Sequence, residues 1–361
     1  MSAWAGEIAE NGGDCRLCSD CAAASEPREE EEPAPRAATA ARKVDVALRG
    51  NPKPCGGGAA PFPLLDTHCH LDFAGNSEEL AAALSRCGGA FSGTCDPRDF
   101  ERMRRVLAGF APQVRVGLGI HPWWVADGAC GPDEVALFER LAPGAALISE
   151  VGLDFQPRRE ATRAVQTEAF TRVCRAAAKP LGAADAGDRS HLSEREGSTL
   201  AGHSVPEGSS AHAGRADEPA AACAAAERTV AKRVMSIHSS KAAAAALDIL
   251  EQTGCLDACT CVFHWFSGSQ DELSRAIDAG CLFSVNERML KTKRGRAYAR
   301  AIPESRLLLE TDTPPKRVVR FSPEAHISQL ERTVGLLAEA RGADAAALAE
   351  RIACTSRALF S

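Results

Sequence analysis

The stretch Leu64-Leu65-Asp66-Thr67-His68-Cys69-His70-Leu71-Asp72 is where the character of the sequence changes. The short apolar run Leu64–Asp66 reads as a β-strand and delivers an H-x-H pair at its end. On an extended chain, residues i and i+2 point to the same side, so His68 and His70 can offer two imidazoles to one cation. A helix-like stretch follows at Ser77–Arg86, and the alternation then repeats. Further strand-like runs are Phe91–Asp96, Val114–His121, Ala146–Asp154, Val234–His238, Cys261–Phe266, Cys281–Asn286 and Arg306–Asp312. Amphipathic stretches lie between them at Pro97–Ala108, Asp133–Leu141, Thr162–Ala178, Ala242–Gln252, Asp271–Asp278 and Arg288–Ala301. Pro323–Arg341 and a last stretch, Ala343–Phe360, follow the eighth run. Strands alternating with helices imply parallel βαβ units. Eight units over residues 64–361 predict a (β/α)8 TIM barrel, a fold that takes about 250 residues.

Two segments fall outside that rhythm. Residues 1–63 hold Ser25-Glu26-Pro27, an acidic run Glu29–Glu32 and Gly56-Gly57-Gly58, without apolar periodicity, and read as a disordered tail. Its Cys15, Cys18 and Cys21 form a C-x2-C-x2-C run, but no fourth cysteine follows at short range. An unliganded tail is therefore the preferred reading over a metal site. Residues 182–228, rich in Ala, Gly, Ser and Glu, read as a low-complexity insertion before strand five. A helix-to-strand connection lies on the bottom of such a barrel, so His191, His203 and His212 are expected far from the mouth.

Composition narrows the class. Of 361 residues, 45% are hydrophobic and 25% charged, as in a soluble globular protein. No run is long and apolar enough to span a membrane. Met1–Asp14 lacks the apolar core of a signal peptide, and the 15 cysteines are odd in number in a long chain. Both favour a reducing, cytoplasmic setting. A net charge of −6 argues against a dedicated DNA-binding module. It leaves room for an enzyme acting on nucleic acid, because bound divalent ions add positive charge where phosphate sits.

Metal-capable side chains recur at the strand ends: His68 and His70, Glu150, His238, His264 and Asp312. In a TIM barrel, catalytic residues come from the C-terminal ends of several strands, so these six converge on one mouth. Imidazole and carboxylate together suit zinc, manganese and similar divalent ions, and a carboxylate such as Glu150 can bridge two of them. Divalent ions make water acidic enough to attack near neutral pH. Asp312 is the candidate to orient or deprotonate that water. Lys291, Lys293, Arg294 and Arg296 follow strand seven, and Lys316, Arg317 and Arg320 follow strand eight, where this fold often binds phosphate. Trp123, Trp124 and Trp265 lie near the mouth and could stack on bases. His121 could hydrogen-bond a phosphate oxygen or support the site from behind. His326 lies within a helical stretch and reads as incidental.

Asp66-Thr67-His68-Cys69-His70-Leu71-Asp72 resembles the opening motif of the TatD-related hydrolases. So do Gly119-Ile120-His121-Pro122, Glu150-Val151-Gly152-Leu153-Asp154, Ile237-His238-Ser239, Phe263-His264-Trp265-Phe266-Ser267-Gly268 and Leu309-Glu310-Thr311-Asp312, in the family's order. The resemblance implies an amidohydrolase-type barrel and a two-metal deoxyribonuclease, with zinc, manganese or magnesium as the ions. It implies that His68, His70, Glu150 and Asp312 hold one ion, and Glu150, His238 and His264 the second. Glu150 and Asp312 would be catalytic; His121, Trp265, Lys291, Arg294 and Lys316 would contact substrate. Nucleic acid is then a transient substrate, with no obligate protein partner and no membrane. The chain departs from the family at Ser240, where an Arg is common, at Ala353-Cys354-Thr355, and at Thr313-Pro314-Pro315-Lys316, which lacks the usual aromatic. These changes touch substrate contacts more than metal ligands. An amide or ester hydrolase, such as one removing an aminoacyl group from RNA, is the alternative chemistry. A catalytically dead scaffold is the third reading, disfavoured because all six ligand positions are filled.

Overall fold

The computed structural model describes residues 63–182 and 232–360. The expected tail with its cysteine run, and the expected insertion beyond Gly182, lie outside the described residues. Within them stand eight strands: β1 Asp66–Cys69, β2 Ala90–Gly93, β3 Val114–Gly117, β4 Leu147–Asp154, β5 Arg233–Ser240, β6 Cys259–His264, β7 Leu282–Val285 and β8 Leu307–Leu309. Neighbours pair in parallel, from β1 to β3 and from β4 to β8. The two arcs are joined at one seam by the parallel bridge between Leu118 and Ile148. At the other, Asp312 N donates to His68 O at 3.0 Å and His70 N to Thr313 O at 2.9 Å. The eight strands thus close into the expected (β/α)8 barrel.

Helices wrap the strands: α1 Ser77–Cys87, α2 Pro97–Val106, α3 Pro122–Ala126, α4 Pro132–Leu141, α5 Arg163–Ala177, α6 Ala243–Gln252, α7 Cys255–Ala258, α8 Gln270–Asp278, α9 Glu287–Leu290, α10 Lys293–Ala301, α11 Pro323–Arg341 and α12 Ala345–Arg357. Their starts carry local chemistry. Asp96 caps α2 ahead of Pro97, and Ser269 with Glu272 forms a capping box on α8. The expected single helix Arg288–Ala301 is two, because the Thr292 side chain accepts from Gly295 N and starts a new helix there. The third strand stops at Gly117 instead of reaching His121, which becomes the N-cap of the short helix α3.

Side-chain alternation decides what enters the barrel. Leu65, Phe91, Leu147, Val234, Val262 and Leu308 form a small buried cluster drawn from six strands or their starts. Two-residue periodicity places Ser236 and His238 on the face of Val234, His264 on that of Val262, and Glu310 on that of Leu308. The apolar cluster therefore forms the floor, and the polar side chains line the mouth above it. The larger apolar cluster, including Phe138, Phe170, Leu247, Phe263 and Leu337, packs helices onto the outside of the strands.

Candidate metal centre

Strand β4 breaks the alternation in order to serve the mouth. Its pairing with β5 slips between Ile148 and Val151, and Glu150 has a left-handed backbone, φ 56°. This bulge turns both Ser149 and Glu150 inward, where a regular strand would present only one. Gly152, φ 139°, follows, and a Cβ there would lie 2.0 Å from His238 O. Only glycine permits that approach. Among the described residues, the non-glycine residues with left-handed backbone are Glu150, at the bulge within β4, and Lys241, Trp265 and Asp312, just after β5, β6 and β8. Strained backbone gathered at one rim marks it as the working face.

Glu150 is the hub. Its Oε2 lies 2.5 Å from His68 Nε2 and 3.1 Å from His70 Nε2. Its Oε1 lies 3.1 Å from His121 Nε2, 3.4 Å from His238 Nδ1 and 3.5 Å from His264 Nε2. Asp312 Oδ1 completes the first side, 3.4 Å from His70 Nε2 and 4.0 Å from His68 Nε2. His68, His70, Glu150 and Asp312 bring one ligand atom each within 4.8 Å of one another. Burial opposes ionisation of Glu150, but the imidazoles of His264, His121 and His68 outweigh it and hold the carboxyl well below its usual range. Asp312 is lowered against burial by His70.

The outer nitrogens show which imidazole can ligate. His70 Nδ1 faces Gly93 O at 3.1 Å, so that nitrogen carries a proton and Nε2 is the donor for a cation. Burial works against charge on His70, yet Cys95 and the Asp312 and Glu150 carboxylates raise its pKa well above normal. A proton thus sits where a cation would replace it. His238 Nε2 faces Asp154 Oδ2 at 3.4 Å, which leaves Nδ1 toward Glu150. His264 is stacked on His68, centroids 4.0 Å apart, and both its ring nitrogens are buried without a hydrogen-bond partner. Burial and then His68 push its pKa down to about 4, so the ring is neutral with a lone pair to give. An orphaned neutral imidazole beside an ionised carboxylate fits a divalent cation.

His121 differs. Its Nδ1 accepts from Trp123 N at 3.0 Å, so the neutral ring keeps its proton on Nε2, which donates to Glu150. Although His121, Glu150 and His238 are close enough to share an ion, His121 is built as a hydrogen-bond donor.

The structure brings His68, His70, Glu150, His121, His238, His264 and Asp312 together. Lys291, Arg294 and Lys316 are exposed, and among the described residues no ion pair or hydrogen bond ties them to the group; Lys291 Nζ instead meets Glu287 at 2.9 Å. Three aromatic side chains near the mouth each carry an arginine: Arg159 over Trp123 at 4.5 Å, Arg317 over Phe73 at 5.2 Å, and Arg288 over Trp265 at 5.7 Å. Phe73 also stacks on His70 at 5.1 Å. The sequence reading left Asp154 without a role. Its carboxylate, held down to about 2 against burial by His238 and Trp123, accepts from Trp123 Nε1 at 2.5 Å and orients His238. It stands four residues after Glu150, on the same inward face beyond the bulge, which was the available signal. His326 is corrected outright: it is fully buried, with Nε2 2.6 Å from Asp66 Oδ2.

The family pattern described as TatD related DNase matches residues 65–181 and 220–361. The chain is 47% identical over 53 residues to a protein named deoxyribonuclease Tat-D of Schizosaccharomyces pombe, covering 15% of this chain and 17% of that protein. It is 34% identical over 110 residues to a 3'-5' ssDNA/RNA exonuclease TatD of Dickeya dadantii, covering 27% of this chain and 40% of the relative. The matches therefore span less than half the length of these relatives. In fold, a TatD homologue from Escherichia coli superposes with a TM-score of 0.52 at 18% identity, over 82% of this chain and 98% of that one. Together with the family pattern, which runs through every one of the strands named above, these matches place the chain in the TatD related DNase family.

Proposed function

We propose that the protein is a divalent-metal-dependent hydrolase that cleaves phosphodiester bonds of DNA, with two ions held around Glu150. The observation that carries this is the two-sided carboxylate: one oxygen faces His68 and His70, the other faces His238 and His264. His68, His70, Glu150 and Asp312 would hold one ion; Glu150, His238 and His264 the other. When bound, the ions supply Lewis-acid charge for the phosphate and acidify water.

The chain's own groups do the rest. Asp312, with 20% of its side chain exposed, is the carboxylate that attacking water can reach, and it accepts the proton. His121 Nε2–H donates to a phosphate oxygen once substrate displaces its contact with Glu150. The arginine-backed Phe73, Trp123 and Trp265 stack unpaired bases, which suits a single-stranded end. The Dickeya dadantii relative, named an ssDNA/RNA exonuclease, supports that substrate class.

The test is to strip the protein with chelator, titrate it with Mn2+, and assay a labelled single-stranded oligonucleotide. Two ions per chain and metal-dependent release of nucleotides are expected, with both lost in Glu150→Gln. Amino acid released from aminoacylated RNA, with intact oligonucleotide, would move the assignment to the ester or amide alternative.

A further inference from the structure

The seam between β8 and β1 shares no strand ladder. It nevertheless carries three of the four donors of the first ligand group, with His68 and His70 on one side and Asp312 on the other. A buried carboxylate spans it. Asp66 Oδ1 accepts from the amides of His68 and Thr311, each at 3.1 Å. Asp66 Oδ2 accepts from Thr311 Oγ1 at 2.7 Å and faces His326 Nε2 at 2.6 Å. Thr313 Oγ1 donates in turn to Thr311 Oγ1 at 2.9 Å. Asp66, Thr311 and His326 are all fully buried, and His326 arrives from a third element, α11.

Asp66, Cys69 and His326 also lie close enough to hold a cation of their own. Their hydrogen bonds speak against it. A carboxylate has about four acceptor positions, and Asp66 has all of them filled. Cys69 Sγ donates to Phe91 O at 3.5 Å. Asp66 accepts in each of its other three bonds, and His326 Nε2 is placed as the fourth donor.

We infer that Asp66, Thr311 and His326 form a positioning clamp, in which His326 acts through Asp66 to set His68 against Asp312. Asp66 grips the amide of a ligand residue on β1 and the amide just before a ligand residue after β8. Removing the His326 donor leaves the carboxylate under-satisfied where water cannot reach, and the two strand ends relax apart. His326 touches no ligand atom, so its effect passes through geometry alone. The inference rests on the metal reading given above but not on the identity of the substrate.

The test is Mn2+ affinity of the full chain, read by calorimetry. His326→Leu is expected to weaken Mn2+ binding about 10–100-fold, the range found when the supports of metal ligands are removed. The turnover number should fall with it, while KM for the oligonucleotide changes little. His326→Gln, whose amide reaches the same point as Nε2, should recover affinity to within a few-fold. Thr311→Val, which keeps shape and deletes a second donor to Asp66, should weaken binding as His326→Leu does. Thr333→Val, seven residues further along the same helix and with no hydrogen bond to Asp66, should not. Parent-like affinity in both His326→Leu and Thr311→Val would overturn the clamp, as would equal losses in His326→Leu and His326→Gln. A lower number of bound ions in Cys69→Ala would overturn it too, by making the trio a ligand set. A parent that binds Mn2+ but does not cut DNA would sink the phosphodiesterase reading and leave the clamp standing. A parent that binds none would overturn both.

Discussion

Replacing Gly152 with alanine tests how the bulge of β4 builds the centre. The new Cβ would lie 2.0 Å from His238 O and 3.0 Å from His238 C and N, all backbone atoms. Carbon contacts settle at about 3.5 Å, so the strands must part by about 1.5 Å. Holding alanine at φ 139° adds about 1–2 kcal/mol of local strain. Parting β4 from β5 weakens one or two backbone hydrogen bonds, at about 1 kcal/mol each. The expected destabilisation is about 3 kcal/mol, in the range reserved for backbone clashes. The same shift moves Glu150 from His238, and a misplacement of about 1 Å costs about a hundredfold in turnover. Urea unfolding with and without Mn2+, beside an oligonucleotide assay, reads both effects. Gly335→Ala is the control, since nothing lies within 4 Å of a Cβ there and α11 should gain about 0.5–1 kcal/mol. A Gly152→Ala protein within about 1 kcal/mol of the parent, binding Mn2+ and turning over normally, would refute the argument.

Three further outcomes are expected. Asp312→Asn keeps size but cannot take a proton, so turnover in the oligonucleotide assay should fall about 10²–10⁴-fold; near-normal turnover with full metal content would remove Asp312 from the chemistry. Asp72, buried at 7% exposure with neither carboxylate oxygen hydrogen-bonded, is raised by burial from 3.8 to about 6. The folded state therefore holds its proton longer, and stability is lost as pH rises through that window; in chelated protein at pH 7–8, Asp72→Asn should unfold later by up to about 3 kcal/mol, with no gain below pH 3.8. Residues 182–219, which the family pattern skips, should be dispensable: Arg233 already ties the start of β5 to Lys179 O at 2.9 Å and Ala145 O at 2.8 Å. A Gly/Ser linker in place of residues 183–219 should leave the thermal melt and Mn2+ stoichiometry unchanged; a folded protein without metal would contradict it.

Much of the site was legible because strand ends carry chemistry in this fold. His68, His70, Glu150, His238, His264 and Asp312 could be named from their place after or within apolar runs. What could not be read depends on partners remote in sequence. His326 looks like any helical histidine until α11 lays it on Asp66, 260 positions away. The role of His121 turns on the amide of Trp123, and that of Asp154 on the ring of His238. The bulge at Glu150 leaves no mark in an apolar run, since only pairing with β5 reveals the slipped register. Short elements such as α3 and α7 escaped because one turn of helix has no periodicity to detect.

The β8–β1 seam has a consequence for synthesis. His68 and His70 leave the ribosome among the first residues of the barrel, and Asp312 only after almost all of it has followed. Their carbonyl and amide meet across the whole length of the fold, at Asp312 N to His68 O. A chain that stops short of β8 therefore lacks Asp312, the last of the four donors of the first ligand group. On the function proposed above, hydrolysis would therefore wait for β8 and the residues that follow it, because Asp312 N reaches His68 O only then.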